Sequence, residues 1–234
     1  MTERKITYAG HSAVFVHWGS TTIAIDPWLR GNPLCPAKLQ TPPKVDLIVL
    51  SHGHSDHASD AVRVQKETGA LLAATFELAM IMIAEGVPRD KVIPMNKGGA
   101  VDVAGLEVRL TNAYHSSSYD TKSGTVYAGE ACGVLLTEGG VSLYHAGDTS
   151  LFSDLKLIGE QFKPDVAFLP IGDRFTMGPA EAAQAAAWTQ CKLAIPIHYK
   201  TFDLLTGTYD EFAEACEKRG MRSKELAPGE SISF

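Results

Sequence analysis

Three imidazoles and a carboxylate fall within six consecutive residues, His52-Gly53-His54-Ser55-Asp56-His57, directly after Ser51. Imidazole nitrogen and carboxylate oxygen are the donors that hold first-row divalent cations. Gathering four of them costs desolvation and charge repulsion unless a cation is present. On a loop, alternate side chains turn the same way, so His52 and His54 suit one metal, while Asp56 and His57 face a second beside it. Without that chemistry the stretch is only a polar turn rich in histidine, and a single His-x-His pair would carry little weight. Four metal-capable side chains in one place favour metal binding.

The elements that must position this stretch are legible on either side of it. Val45 to Leu50 is an apolar, β-branched run that reads as a buried strand, and the residues from Ala58 to Thr68 are those of a helix. The donors therefore sit on a loop that leaves a strand and enters a helix, which is where α/β folds build their sites.

The pattern His-x-His-x-Asp-His resembles the signature of the metallo-β-lactamase superfamily. Four further motifs follow in the order that superfamily shows: Ile25-Asp26-Pro27-Trp28, Gly147-Asp148-Thr149, Phe175-Thr176-Met177-Gly178-Pro179 and Pro196-Ile197-His198-Tyr199. Together they look like its small metal-dependent hydrolase branch, whose relatives include the ascorbate-6-phosphate lactonases and the N-acylphosphatidylethanolamine phospholipases D. The resemblance implies an α/β (α+β) fold, a four-layer αββα sandwich formed as one domain over residues 1–234. It also implies a ligand set: His52, His54 and His115 for one metal, Asp56, His57 and His198 for the other, and Asp148 bridging them. Asp26 is either a turn-starting Asp-Pro or a carboxylate that orients a ligand histidine, and the resemblance favours the second.

A donor set of nitrogen and oxygen without thiolate suits Zn2+, with Mn2+, Fe2+ or Ni2+ compatible. Two such cations lower the pKa of a shared water towards neutrality, and the resulting hydroxide would attack a carbonyl or phosphorus centre. The expected activity is hydrolysis of an ester-type bond, lactone or phosphodiester, in a small-molecule substrate. Asp56 and Asp148 carry the chemistry as ligands, with His11 as the proton donor or, equally, a structural histidine near the first strand. No Gly-x-Ser-x-Gly elbow offers a serine nucleophile. Two other readings stand beside this one. One is a diiron redox protein of the same fold, although those relatives carry Glu where this chain has His54. The other is a metal-binding protein without catalysis.

Composition narrows the classes. At 234 residues with 45% hydrophobic and 21% charged residues, the chain has the length and balance of a single globular domain. A net charge of -6 with scattered Lys and Arg argues against a nucleic-acid surface. No apolar run is long enough to span a bilayer, and Met1 to Lys5 is not followed by a signal-peptide core, so a cytoplasmic location is expected. Cys35, Cys132, Cys191 and Cys216 are far apart and read as reduced, buried thiols. A homo-oligomer is compatible with the sequence.

The remaining expectations concern the chain around the site. Ala13–Val16 and Thr22–Ile25 read as paired strands. The segment 29–43, rich in proline, is a lid or a connection. The Ser-rich stretch from Ser116 to Gly124 reads as a mobile loop beside the substrate. Helices are expected over 76–85, 151–160, 180–188 and 212–218, with strands at 166–170 and 193–197 and a closing strand at Ile232. Ser117, Arg174 and Met177 are expected at the substrate pocket. Arg174 and Lys200 have two readings each, a cation for an anionic substrate group or a surface residue. His145 precedes the Asp148 motif on a strand and is left out of the ligand set.

Overall fold

The computed structural model describes residues 3–42 and 44–234. Met1 and Thr2, at the head of the N-terminal segment, and Pro43 of the proline-rich segment lie outside the described residues.

In chain order the first elements are β1 (Arg4–Gly10), β2 (Ala13–Trp18), β3 (Thr21–Ile25) and β4 (Leu47–Val49). Next come α1 (Ser55–Ala58), α2 (Ala61–Thr68), β5 (Leu71–Thr75), α3 (Phe76–Ala84) and β6 (Val92–Met95). Strands β7 (Ala100–Val103), β8 (Leu106–Asn112), β9 (Ser118–Thr121), β10 (Gly124–Tyr127), β11 (Cys132–Glu138) and β12 (Val141–His145) follow. The chain closes with α4 (Leu155–Gln161), β13 (Val166–Pro170), α5 (Pro179–Thr189), β14 (Leu193–Ile197), α6 (Tyr209–Glu217) and β15 (Ser231–Ser233).

These elements form two compact units. The first comprises residues 1–97, 116–131 and 227–234, and the second 98–115 and 132–226. The first holds a sheet in the order β15-β1-β2-β3-β4-β5-β6 and the ribbon β9–β10. Strand β2 is antiparallel to β1 and β3, and β3 to β6 run parallel. The C-terminal ends of β1, β3, β4 and β5 therefore share one edge. The second unit holds a sheet in the order β14-β13-β12-β11-β8-β7. Strand β11 is antiparallel to β8 and β12, and β12 to β14 run parallel, so β8, β12, β13 and β14 also end at one common edge.

Each sheet buries a face under helices. In the first unit Ile48, Leu50, Leu72, Val64, Leu78 and Met82 belong to one apolar cluster. Helix α2 joins it through Ala61, Val64 and Gln65 and ends at Gly69, whose φ of 72° is the left-handed turn that glycine adopts without a Cβ clash. In the second unit Leu135, Tyr144, Leu169, Leu155 and Phe212 pack with the alanines of α5, where Ala182, Ala183, Ala185 and Ala186 let the helix lie close. Strand β4 is buried at every residue, which is why it reads as a continuous apolar run with no alternation.

Several expectations are corrected here. The helix expected over about 58–68 is α2, starting at Ala61, and the loop expected over 52–57 turns helical at Ser55, where α1 begins. The Ser-rich loop is the hairpin β9–β10, paired from Ser118–Tyr127 to Thr121–Gly124. Strand β1 was not foreseen, since its start, Arg4-Lys5, is polar. Helix α4 begins at Leu155, four residues after the expected start. All four cysteines are buried free thiols, as expected. Among the described residues, no helix is long and apolar enough to cross a membrane.

Candidate metal centre

In the first unit every expected site residue up to His57 follows a strand that ends at the common edge. His11 sits in the turn after β1, Asp26 follows β3, and the signature loop follows β4. Asp26 is fully buried and anchors the group. Its Oδ1 accepts from the Ser51 backbone N–H at 2.7 Å. Its Oδ2 accepts from Ser51 Oγ at 2.5 Å and from His57 Nδ1 at 2.8 Å. Because the Ser51 hydroxyl donates to Asp26, its lone pair accepts from His52 Nδ1 at 2.9 Å. One carboxylate thus fixes two imidazoles, His57 directly and His52 through Ser51. With each Nδ1 protonated, each Nε2 is left as the basic nitrogen, the arrangement that orients metal-ligating histidines.

The donor atoms converge. His52 Nε2 lies 3.0 Å from His54 Nδ1. Donor atoms of Asp26, His52 and His57 lie within 4.8 Å of one another, as do those of His11, Asp56 and His57. His11 Nε2 is 3.2 Å from Asp56 Oδ2, and the His11 ring is fully buried edge-on to Trp28, 5.2 Å between centroids. Its backbone carbonyl accepts from Tyr8 Oη at 2.9 Å. Gly53, between the two first histidines, is required: a Cβ there would stand 2.8 Å from both Ala128 Cβ and the Ser118 carbonyl oxygen.

The hairpin β9–β10 packs on this loop through Ser117. The Ser117 hydroxyl receives the Gly53 N–H at 3.2 Å and donates to the Ala128 carbonyl at 3.2 Å. Ser117, expected at the substrate pocket, is buried and holds the signature loop to the hairpin. A second tie lies behind the site. Asp60 Oδ2 accepts from the N–H groups of Leu29 and Arg30, both at 2.7 Å, and Oδ1 accepts from Arg63 Nε at 2.8 Å. Burial pushes the Asp60 carboxyl up, but Arg63 and the two N–H groups outweigh it and hold the pKa below the usual value. At the start of the proline-rich segment, Asn32 Nδ2 donates to the carbonyls of Gly10 and Trp28.

In the second unit the donors again follow strands that end at one edge: His115 after β8, Asp148 after β12, His198 after β14. Asp148 Oδ2 lies 3.0 Å from His198 Nε2 and 3.7 Å from His115 Nε2. Thr149 organises their loops. Its hydroxyl receives the Tyr114 N–H at 3.0 Å, and its carbonyl receives the Met177 N–H at 3.1 Å. His145 is fully buried, and its Nδ1 accepts the Gly147 N–H at 3.1 Å, so it braces the turn that delivers Asp148. Gly172 lies against His198, where a Cβ would come within 2.2 Å of the His198 carbonyl oxygen. Met177, expected at the pocket, is fully buried in the apolar cluster of this unit. Arg174 is exposed, with its guanidinium over the Phe175 ring. Lys200 is exposed and paired with Glu225 at 2.9 Å.

These imidazoles and carboxylates offer only nitrogen and oxygen donors, gathered in groups whose donor atoms lie within 4.8 Å of one another. The donor set fits a divalent metal. A family model described as the beta-lactamase superfamily domain matches residues 21–199. The UPF0173 metal-dependent hydrolase of Anoxybacillus flavithermus is 46% identical over 98% of this chain and 100% of its own length.

The chain belongs to the UPF0173 metal-dependent hydrolase family of the metallo-β-lactamase superfamily.

Igni18, a metallo hydrolase from the archaeon Ignicoccus hospitalis, is 35% identical, and superposes with a TM-score of 0.89 over 100% of this chain and 99% of its own. At the level of fold alone, an isothiocyanate hydrolase from Delia radicum gut bacteria is also similar (TM-score 0.75, 20% identity, 98% of both chains). As a member of this family the chain is a metal-dependent hydrolase with a His/Asp metal site, and two mixed sheets flanked by helices are its metallo-β-lactamase fold.

Sequence reasoning gives Ser51 no role, and it leaves His145 out of the ligand set without showing that its Nδ1 braces the Gly147 turn. Ser51 was visible as the residue before the signature, but only the fold shows that it links Asp26 to His52.

Proposed function

We propose that this hydrolase cleaves an ester-type bond, lactone or phosphodiester, of a small substrate with two divalent cations, Zn2+ being the best match to the donors. His52, His54 and His115 would hold one, Asp56, His57 and His198 the other, and Asp148 both; that division rests on the superfamily pattern. The observation that carries the reading is the Asp26–Ser51 network, which leaves the Nε2 atoms of His52 and His57 as the basic nitrogens.

Divalent cations at such a centre supply a water acidic enough to act as a nucleophile near neutral pH and a Lewis-acid hold on the developing oxyanion. The chain's own residues do the rest. Asp26 and Ser51 keep both Nδ1 protons in place, so the ligand rings do not rotate or change tautomer. His11 holds a proton at Nε2 towards Asp56 Oδ2 and is the group we assign to proton transfer to the leaving oxygen. Buried Trp28 packs edge-on against that ring, and the Tyr8 hydroxyl holds the His11 backbone carbonyl. His54, where redox relatives of the fold carry Glu, favours hydrolysis over oxygen chemistry.

The test is Asp148→Ala beside the wild type, both reconstituted with zinc and assayed on a matched lactone and phosphodiester panel. The variant should keep its fold by circular dichroism and lose bound zinc and turnover together. Full zinc content in the variant would overturn the role given to Asp148. A wild type holding two zinc ions per chain that hydrolyses neither substrate class would overturn the ester reading.

A further inference from the structure

The loop after β13 carries a feature that the hydrolase reading leaves unused. Asp173 and Arg174 are consecutive non-glycine residues with φ of 62° and 39°, a conformation L side chains rarely adopt twice running. The surroundings enforce it. The Asp173 N–H donates to the Met177 carbonyl at 3.0 Å, and the Asp173 carbonyl accepts from the N–H groups of Phe175 and Thr176. The Gly172 carbonyl accepts from the Thr206 N–H at 3.1 Å. Through Met177 N–H to the Thr149 carbonyl the loop is tied to the residue after Asp148, and through Gly172 it abuts His198.

This rigid loop presents one exposed cation. Among the described residues Arg174 makes no ion pair; its guanidinium rests 5.5 Å from the centroid of half-exposed Phe175, which orients it without neutralising it. The other cation after a ligand strand, Lys200, is already bound to Glu225. On a chain of net charge -6, an unpaired guanidinium carried by a strained loop whose other residues touch the backbone of Thr149 and His198 calls for an anionic ligand.

We propose that Arg174 recognises an oxyanion group, carboxylate or phosphate, on the substrate, so that the substrate class is an anionic ester; this rests on the hydrolase reading above. The guanidinium offers a two-pronged donor fork matched to such a group, and the strained backbone is retained because it aims that fork.

The test uses the zinc-loaded full chain and Arg174→Asn. Asparagine tolerates left-handed backbone, so the variant should fold with a thermal midpoint no lower than the wild type. Two lactones are compared, one bearing a side-chain phosphate and one a hydroxyl in its place. The ratio of kcat/KM for the phosphorylated over the neutral lactone should fall about tenfold in the variant, with zinc content retained. Calorimetric titration with inorganic phosphate should show a similar loss of affinity. An unchanged ratio, with unchanged phosphate affinity, would overturn the role of Arg174 and leave the hydrolase reading standing. If the wild type turns over neither lactone, the parent reading fails, and the phosphate titration alone decides whether Arg174 binds an oxyanion.

Discussion

At the scale of the residue, the site is governed by which nitrogen of each histidine is committed elsewhere. Asp26 accepts from Ser51 twice and from His57 once, so its charge is distributed over both ligand-bearing sides of the loop. Asp26→Asn puts an amide where these three donors point, and one of its two positions must present N–H to them. Zinc affinity should fall about tenfold or more, measured by competition with a chelating dye; an unchanged affinity would reduce Asp26 to a turn residue. Asp60 gives a pH signature. Its folded pKa is depressed, so its contribution to stability is present above the ordinary carboxylate pKa and is lost as pH falls through the folded value. Asp60→Asn should therefore cost about 1–3 kcal/mol in urea at neutral pH, and that cost should shrink below about pH 4. A gap between the two proteins that stays constant down to pH 2 would refute this account of Asp60.

At the scale of the element, the recurring device is a loop leaving the C-terminal end of a strand and tied to a neighbour by one small residue. Ser117 and Gly53 do this for the signature loop, and Thr149 does it for the loops of His115 and Asp148. The backbone is left-handed directly after β1, β3 and β14, at His11, Asp26 and His198, with φ of 56°, 47° and 56°. Each turn redirects a donor out of its strand, at a local cost that the surrounding hydrogen bonds offset. Gly53→Ala would drive a methyl into Ala128 and the Ser118 carbonyl. It should lower stability by about 1–3 kcal/mol, read from the denaturant midpoint, and weaken zinc binding, because the displaced loop carries His52 and His54. A variant with native stability and zinc affinity would show that the hairpin yields freely and does not seat the loop.

At the scale of the whole molecule, metal and fold are linked. Anything that binds the folded chain and not the unfolded one stabilises it, by about 2.7 kcal/mol at a hundredfold excess over Kd. Removing metal with a chelator should lower the melting temperature by about 5–10 °C for a chain of this size, with recovery on adding zinc back. A melting temperature that does not move while zinc is shown to leave would mean that these donors are not where the metal sits. The thiols should take no part: burial pushes Cys191 up to about 12 and Cys35 and Cys216 up to about 11, so they stay protonated and inert near neutral pH.

Much of this was legible in the sequence because the information is local. The signature His52 to His57 announces its donors by residue type and spacing. The runs at 45–50, 166–170 and 193–197 announce buried strands by composition, and α3 and α5 by their apolar and alanine-rich stretches. Strand β1 was missed because its polar start masks its pairing with β2 and β15, which is decided by partners distant in the chain. The hairpin over 118–127 reads in the sequence as a mobile loop because serine and glycine carry little strand preference, and it is tied down by Ser117 to Gly53 and Ala128. Residue types by themselves determined the family and the class of activity, metal-dependent hydrolysis. Which nitrogen His52 and His57 present, why Ser51 and His145 matter, and that Met177 faces a core while Arg174 faces solvent, were decided only by tertiary structure. Hydrogen-bond partners and burial depend on chain segments far apart in sequence, and no local pattern encodes where those segments meet.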